Sequence, residues 1–132
     1  MPRFVLLYHE CPPSYEKPSH WDFMLEAGEV LWTWELRELP AGWQTDQPEL
    51  VVSLYSTVSA TRLADHRMAY LDYEGLLTND RGNVSRQMSG DYQLLESTAQ
   101  RIVVQLLSEK LTATVELAES DQFGVWKLTT RD

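Results

Sequence analysis

"HWDFMLEAGEVLWTWEL", residues 20–36, decides the fold. In a β-strand successive side chains leave on opposite faces. Trp21, Phe23 and Leu25 then share one face, and His20, Asp22, Met24 and Glu26 share the other. After "AG" the alternation resumes. Val30, Trp32, Trp34 and Leu36 fall on one side, and Leu31, Thr33, Glu35 and Arg37 on the other. Two alternating runs joined by a glycine turn predict an antiparallel hairpin. One face is core. The other is either an ordinary wet sheet face or, through His-x-Asp, a ligand face.

Working outward, "RFVLLYH" (3–9) is short, apolar and strand-prone. "LPAGWQTDQPE" (39–49) holds two prolines and a glycine and reads as a loop. "LVVSLYSTVSA" (50–60) is β-branched enough for a strand, with a helical turn as the alternative. Residues 62–75 predict a short strand and an irregular segment turning at Gly75. Five strand-length runs follow: 82–88, 90–97, 100–108, 110–119 and 123–130, broken at Ser-Gly, Ser-Thr-Ala, Ser-Glu and Glu-Ser-Asp-Gln. Short strands at this spacing predict a mainly β protein, a compact antiparallel β-barrel with irregular loops and little helix. No internal repeat or linker interrupts the chain, so 1–132 is expected to form a single domain.

The chain has 132 residues, 43% of them hydrophobic, which fits a folded domain. No apolar run is long enough for a membrane-spanning helix, and the N-terminus lacks a signal-peptide cleavage pattern, so no membrane partner is expected. A lone Cys11 excludes an intramolecular disulfide and points to the cytoplasm. The net charge of −9 argues against avid non-specific duplex binding, which needs clustered Lys and Arg. A small phosphate site needs only one or two cations.

Chemistry can gather around three histidines: His9, His20 and His66. A His-x-Asp pair on a strand places both donors on one face, about 6–7 Å apart at Cα. His20 and Asp22 then converge on one cation, and a third ligand from a neighbouring strand completes a two-His, one-carboxylate set. The competing reading is a solvated sheet face. Cys11 would need a paired base to act as a nucleophile. Trp43 is either a lid or a packed anchor. No glycine-rich phosphate loop is present.

The ordered blocks "FVLLYH", "HWDFMLE" and "ADHRMAYLDYEG" resemble the 3′-phosphoesterase domain of bacterial DNA ligase D. That family carries F-V-V-Q-x-H, then H-Y-D-F-R-L-E and an L-x-S-W strand, then E-D-H-P-x-x-Y and F-E-G. Phe4 to His9 match the first block. His20, Asp22, Phe23, Leu25 and Glu26 match the second, and Leu31 and Trp34 the third. Asp65, His66, Tyr70, Glu74 and Gly75 match the last.

The resemblance implies a free-standing, divergent β-barrel with a divalent metal, manganese or alternatively zinc, that heals DNA 3′ ends in repair. It implies His9, His20 and Asp22 as metal ligands, and His66 and Tyr70 as catalytic groups at the scissile phosphate. Partners would be a DNA 3′ end and DNA-repair proteins, or a small phosphoester, which the acidic charge favours. A barrel that kept the fold and lost the chemistry, acting as a binding module, is the rival. Met24 stands where the family has a phosphate-binding arginine, and Ala64 where it has a glutamate. Arg62, Arg67, Arg81 and Arg86 are the candidate replacements, Arg62 and Arg86 foremost, and "RGNVSR" would put Arg81 or Arg86 on a hairpin beside His66. Surface ion pairs with Asp65, Asp72, Glu74 and Asp80 are their alternative role.

Overall fold

The computed structural model describes residues 1–43, 55–109 and 111–131. Among them lie β1 (Arg3–Glu10), β2 (His20–Ala27), β3 (Val30–Leu36), β4 (Ser56–Arg67), β5 (Gly75–Leu76), β6 (Asn83–Ser97), β7 (Arg101–Leu107), β8 (Thr112–Glu119) and β9 (Trp126–Arg131). Among the described residues one 3-10 turn, Met68–Leu71, interrupts the strands. The sheet runs β1-β2-β3-β4-β9-β8-β7-β6-β5, and β1 also pairs with β6. That pairing closes eight antiparallel strands into a barrel and leaves the two-residue β5 outside it. No helix among the described residues is long and apolar enough to cross a membrane.

The hairpin starts the barrel as its sequence dictates. Gly28 has φ +67°, the value a tight turn needs at its first central position. Ala27 pairs with Val30, so Phe23 falls opposite Trp34 and Asp22 opposite Glu35. Phe4, Leu6, Phe23, Leu25, Trp34 and Leu36 point inward and meet Val104, Leu106, Val115, Leu117, Trp126 and Leu128 from the far wall. Trp43 packs on Phe23 with ring centroids 5.7 Å apart, so it is an anchor of this core and not a lid.

Three sequence expectations need correction. The outer face of β1–β3 is dry: Val5, Leu7, Met24 and Leu31 form a second apolar layer with Leu71 and Val84. The segment after β4 folds back as a roof, so a face that reads as partly polar is covered on both sides. Residues 62–75 hold no separate short strand, because β4 runs on unbroken to Arg67. Ser89-Gly90 does not separate two strands either, since β6 passes straight through it. A Cβ at Gly90 would sit 2.4 Å from the Leu107 carbonyl oxygen, so glycine serves close strand approach there and not a turn. The 50–60 expectation lies partly outside the described residues; its end, from Ser56, is strand.

Candidate metal centre

His9 and His20 are direct cross-strand partners at the end of the β1–β2 pair. Residues 11–19 between the two strands form a loop, so the separation of the histidines in sequence does not part them in space. Their ring centroids are 4.8 Å apart. The loop is pinned by the Cys11 N–H donating to Ser19 Oγ at 2.9 Å and the Tyr15 N–H donating to the Pro12 carbonyl at 3.0 Å. Tyr15 lies against His9, with centroids 5.9 Å apart.

Each imidazole is oriented by a backbone carbonyl. His20 Nδ1 donates to Pro18 O at 2.9 Å, which turns Nε2 toward the carboxylates. That Nε2 stands 3.5 Å from Asp22 Oδ1 and 3.7 Å from Glu35 Oε1. His9 Nε2 lies 2.6 Å from Arg81 O, so it is the donor and Nδ1 carries the lone pair. A second hydrogen bond that fixes the tautomer is the usual arrangement of metal-binding histidines.

The two carboxylates differ in their partners. Glu35 binds Lys17 Nζ at 3.0 Å and Arg37 Nε at 2.8 Å. Burial opposes its ionisation, but these two cations outweigh that and lower its pKa. Asp22 instead faces the His20 imidazole, its Oδ1 3.5 Å from Nε2. Its Oδ1 is buried with no hydrogen-bond partner among the described residues. An unsatisfied buried carboxylate oxygen costs about 1–3 kcal/mol or more. A cation between Asp22 and the histidines would satisfy that oxygen; the donor atoms that lie within 4.8 Å of one another are those of His9, Cys11 and His20.

Burial also opposes the His20 imidazolium, yet Asp22, the Pro18 carbonyl and Glu35 together raise its pKa. Burial, then Asp22 and Glu35, push the Cys11 thiol up.

His9, His20 and Asp22 line one side of a cavity of about 110 Å³. His66, Tyr70, Arg81 and Lys17 line it as well. A bulge puts His66 there. Between Leu31 and Thr33 of β3 the register slips, so that Leu31 faces His66 while Thr33 faces Leu63. The extra residue in β4 keeps both Leu63 and His66 on the outer side. His66 Nδ1 donates to Ala64 O at 2.8 Å, which leaves Nε2 with its lone pair. Its ring meets Tyr70 edge-on at 5.9 Å.

Of the candidate phosphate-binding arginines, Arg62 and Arg86 do not line this cavity. Arg62 turns to the barrel side, its guanidinium 4.3 Å above the Trp34 ring and within 6 Å of Trp32 and Trp126. Arg86 pairs with Glu74 at 3.5 Å, the surface ion pair that was its alternative role. Arg81 is the arginine that lines the cavity. Its Nε donates to Thr78 O at 2.9 Å and an NH₂ to Thr78 Oγ1 at 3.1 Å, so the side chain is held in place. Met24 also lines the cavity. Lys17, Tyr15 and Glu35 are absent from the sequence-based set. Glu35 was within reach, because a two-residue turn after Ala27 places it opposite Asp22.

No protein-family model matches the chain, and no curated protein matches it.

Proposed function

We propose that this protein is a divalent-metal-dependent phosphoesterase of the kind that heals DNA 3′ ends. One observation carries the reading. The buried Asp22 carboxylate, whose Oδ1 makes no hydrogen bond, and two pre-oriented histidines share a single small cavity with His66, Tyr70 and Arg81. His9, His20 and Asp22 would hold the metal. When bound, such an ion neutralises charge on a phosphoryl oxygen and acidifies a coordinated water.

The chain's own groups supply the rest. Arg81 offers a preorganised guanidinium to the remaining phosphoryl oxygens. Lys17 adds a second positive charge on the same wall. His66 Nε2 accepts a proton from the attacking water or, once protonated, returns one to the leaving oxygen. The Tyr70 hydroxyl donates to the phosphate. The repair-related DNA 3′ end is the first substrate to test, and a small phosphoester the second, given a net charge of −9.

The binding-module reading is favoured by Met24, an apolar side chain where the resembled family has its arginine. Both readings meet in one experiment. The protein is incubated with manganese or zinc and either a 3′-phosphate DNA primer or a nucleoside 3′-phosphate, and phosphate release is followed. Metal-dependent release that His20→Ala and Arg81→Ala each reduce about 10²-fold or more supports hydrolysis. Absence of turnover on both substrates, or turnover indifferent to His20→Ala, overturns it.

A further inference from the structure

Cys11 has no part in the reading above, yet it stands at the same histidines. One donor atom from each of His9, Cys11 and His20 lies within 4.8 Å of the others. The Cys11 Sγ is 4.0 Å from His20 Nδ1, on the opposite edge of the ring from the nitrogen that faces Asp22. Both histidines are more than nine-tenths buried, whereas Cys11 is half-buried at the start of the loop.

We propose that His9, Cys11 and His20 form a second, alternative donor set that captures a thiophilic cation such as zinc. Thiolate ligands select zinc, and carboxylates suit manganese. On capture the Cys11 S–H bond breaks, its proton passes to solvent, and a sulfur–metal bond forms. The hinge is the His20 ring. Its Nδ1 now donates to Pro18, which leaves Nε2 for the Asp22 set. Using Nδ1 instead means giving up the Pro18 bond and moving the ring proton to Nε2, which faces Asp22 Oδ1 at 3.5 Å. Because His9 Nε2 donates to Arg81 O, His9 offers a single lone pair, and both sets need it, so the two sets exclude each other. Zinc held by Cys11 would therefore displace manganese held by Asp22. The thiolate set stands by itself; its competition with manganese rests on the function proposed above.

The test uses cobalt as a spectroscopic probe of the full chain. Cobalt should give a sulfur-to-metal charge-transfer absorption in the wild type. Cys11→Ser should lose that absorption and bind zinc about 100-fold more weakly or worse, beyond what loss of an outer partner costs. It should leave manganese affinity unchanged. Asp22→Asn should do the reverse, keeping the absorption and losing manganese. In the wild type, zinc should also protect Cys11 from alkylation, a readout that needs no variant. Absence of the absorption, equal zinc affinity in Cys11→Ser, or alkylation indifferent to zinc overturns the inference. If the absorption is absent while manganese still broadens the His9 and His20 signals, the phosphoesterase reading survives alone. If the absorption is present without manganese binding, the thiolate set survives alone.

Discussion

Gly82→Ala tests how the Arg81 loop is built onto the metal face. Gly82 has φ +90°, and a Cβ there would lie 1.9 Å from the Glu10 carbonyl oxygen and 3.1 Å from Pro12 Cδ. The neighbour is backbone of β1, one residue from His9, so it cannot swing aside as a side chain would. Holding an L-residue in the left-handed region costs about 1–2 kcal/mol. The overlap forces a backbone shift worth about a further 1–3 kcal/mol. The sum, about 2–5 kcal/mol, corresponds to a fall in Tm of roughly 7–18 °C for a chain of this size. The shift also moves Arg81 O away from His9 Nε2, a contact of 2.6 Å that fixes the imidazole. The assay is thermal unfolding beside the His9 ring signals in NMR. Gly28→Ala is the control, because Gly28 shares a positive φ of +67° but has nothing within 4 Å of a built Cβ. It should cost only about 1 kcal/mol and leave His9 unchanged. Gly82→Ala within 1 kcal/mol of that control, or an unmoved His9 signal, would refute the reasoning.

Other perturbations separate the roles of the arginines, the apolar layer and a buried tyrosine. Arg62→Ala should lower stability by about 1–2 kcal/mol, through the lost Trp34 contact and stem packing, and leave metal affinity and phosphate release unchanged. Arg81→Ala should do the opposite, cutting phosphate release about 10²-fold at unchanged metal affinity. Equal effects on turnover would overturn both placements. Leu7→Ala should cost about 2–5 kcal/mol in denaturant unfolding, because Leu7 is 1% exposed beneath the metal face; a cost under 1 kcal/mol would mean that the layer is loosely packed. Burial, then Glu26, raises the pKa of Tyr92, whose hydroxyl donates to Glu26 O at 2.6 Å. A raised folded pKa adds stability that is whole below the ordinary tyrosine value of about 10 and is lost as pH climbs through the folded value. Tyr92→Phe should flatten that alkaline loss while costing about 1 kcal/mol at neutral pH; an unchanged alkaline limb would contradict the assignment.

Much of the barrel was written in period-two alternation. Phe23, Leu25, Trp34 and Leu36 read as inward and are inward, and the β1, β2 and β3 segments stand where their patterns put them. The roof over the outer face was not legible. Leu71 and Val84 reach it through tertiary folding of the chain after β4, and no local pattern announces that. His66 was legible as a residue but not as a neighbour of Leu63, because its side depends on a bulge that alternation cannot reveal. Gly90 misled because glycine marks a turn and a close strand approach alike. At the site, His-x-Asp announced a shared face. Lys17 and Tyr15 came from a loop whose fold depends on Ser19 and Pro12, and that stayed hidden. Arg62 seemed near His66 in sequence, yet four positions along a bulged strand carry it to the tryptophans inside.

The most direct measurement is a manganese and zinc titration that follows the three histidine rings by NMR. The account predicts that micromolar manganese broadens His9 and His20 most strongly and also reaches His66 across the cavity, while zinc shifts His9 and His20. If none of the three rings responds, the orphaned Asp22 carboxylate and its two histidines are not a metal centre, and the central claim fails.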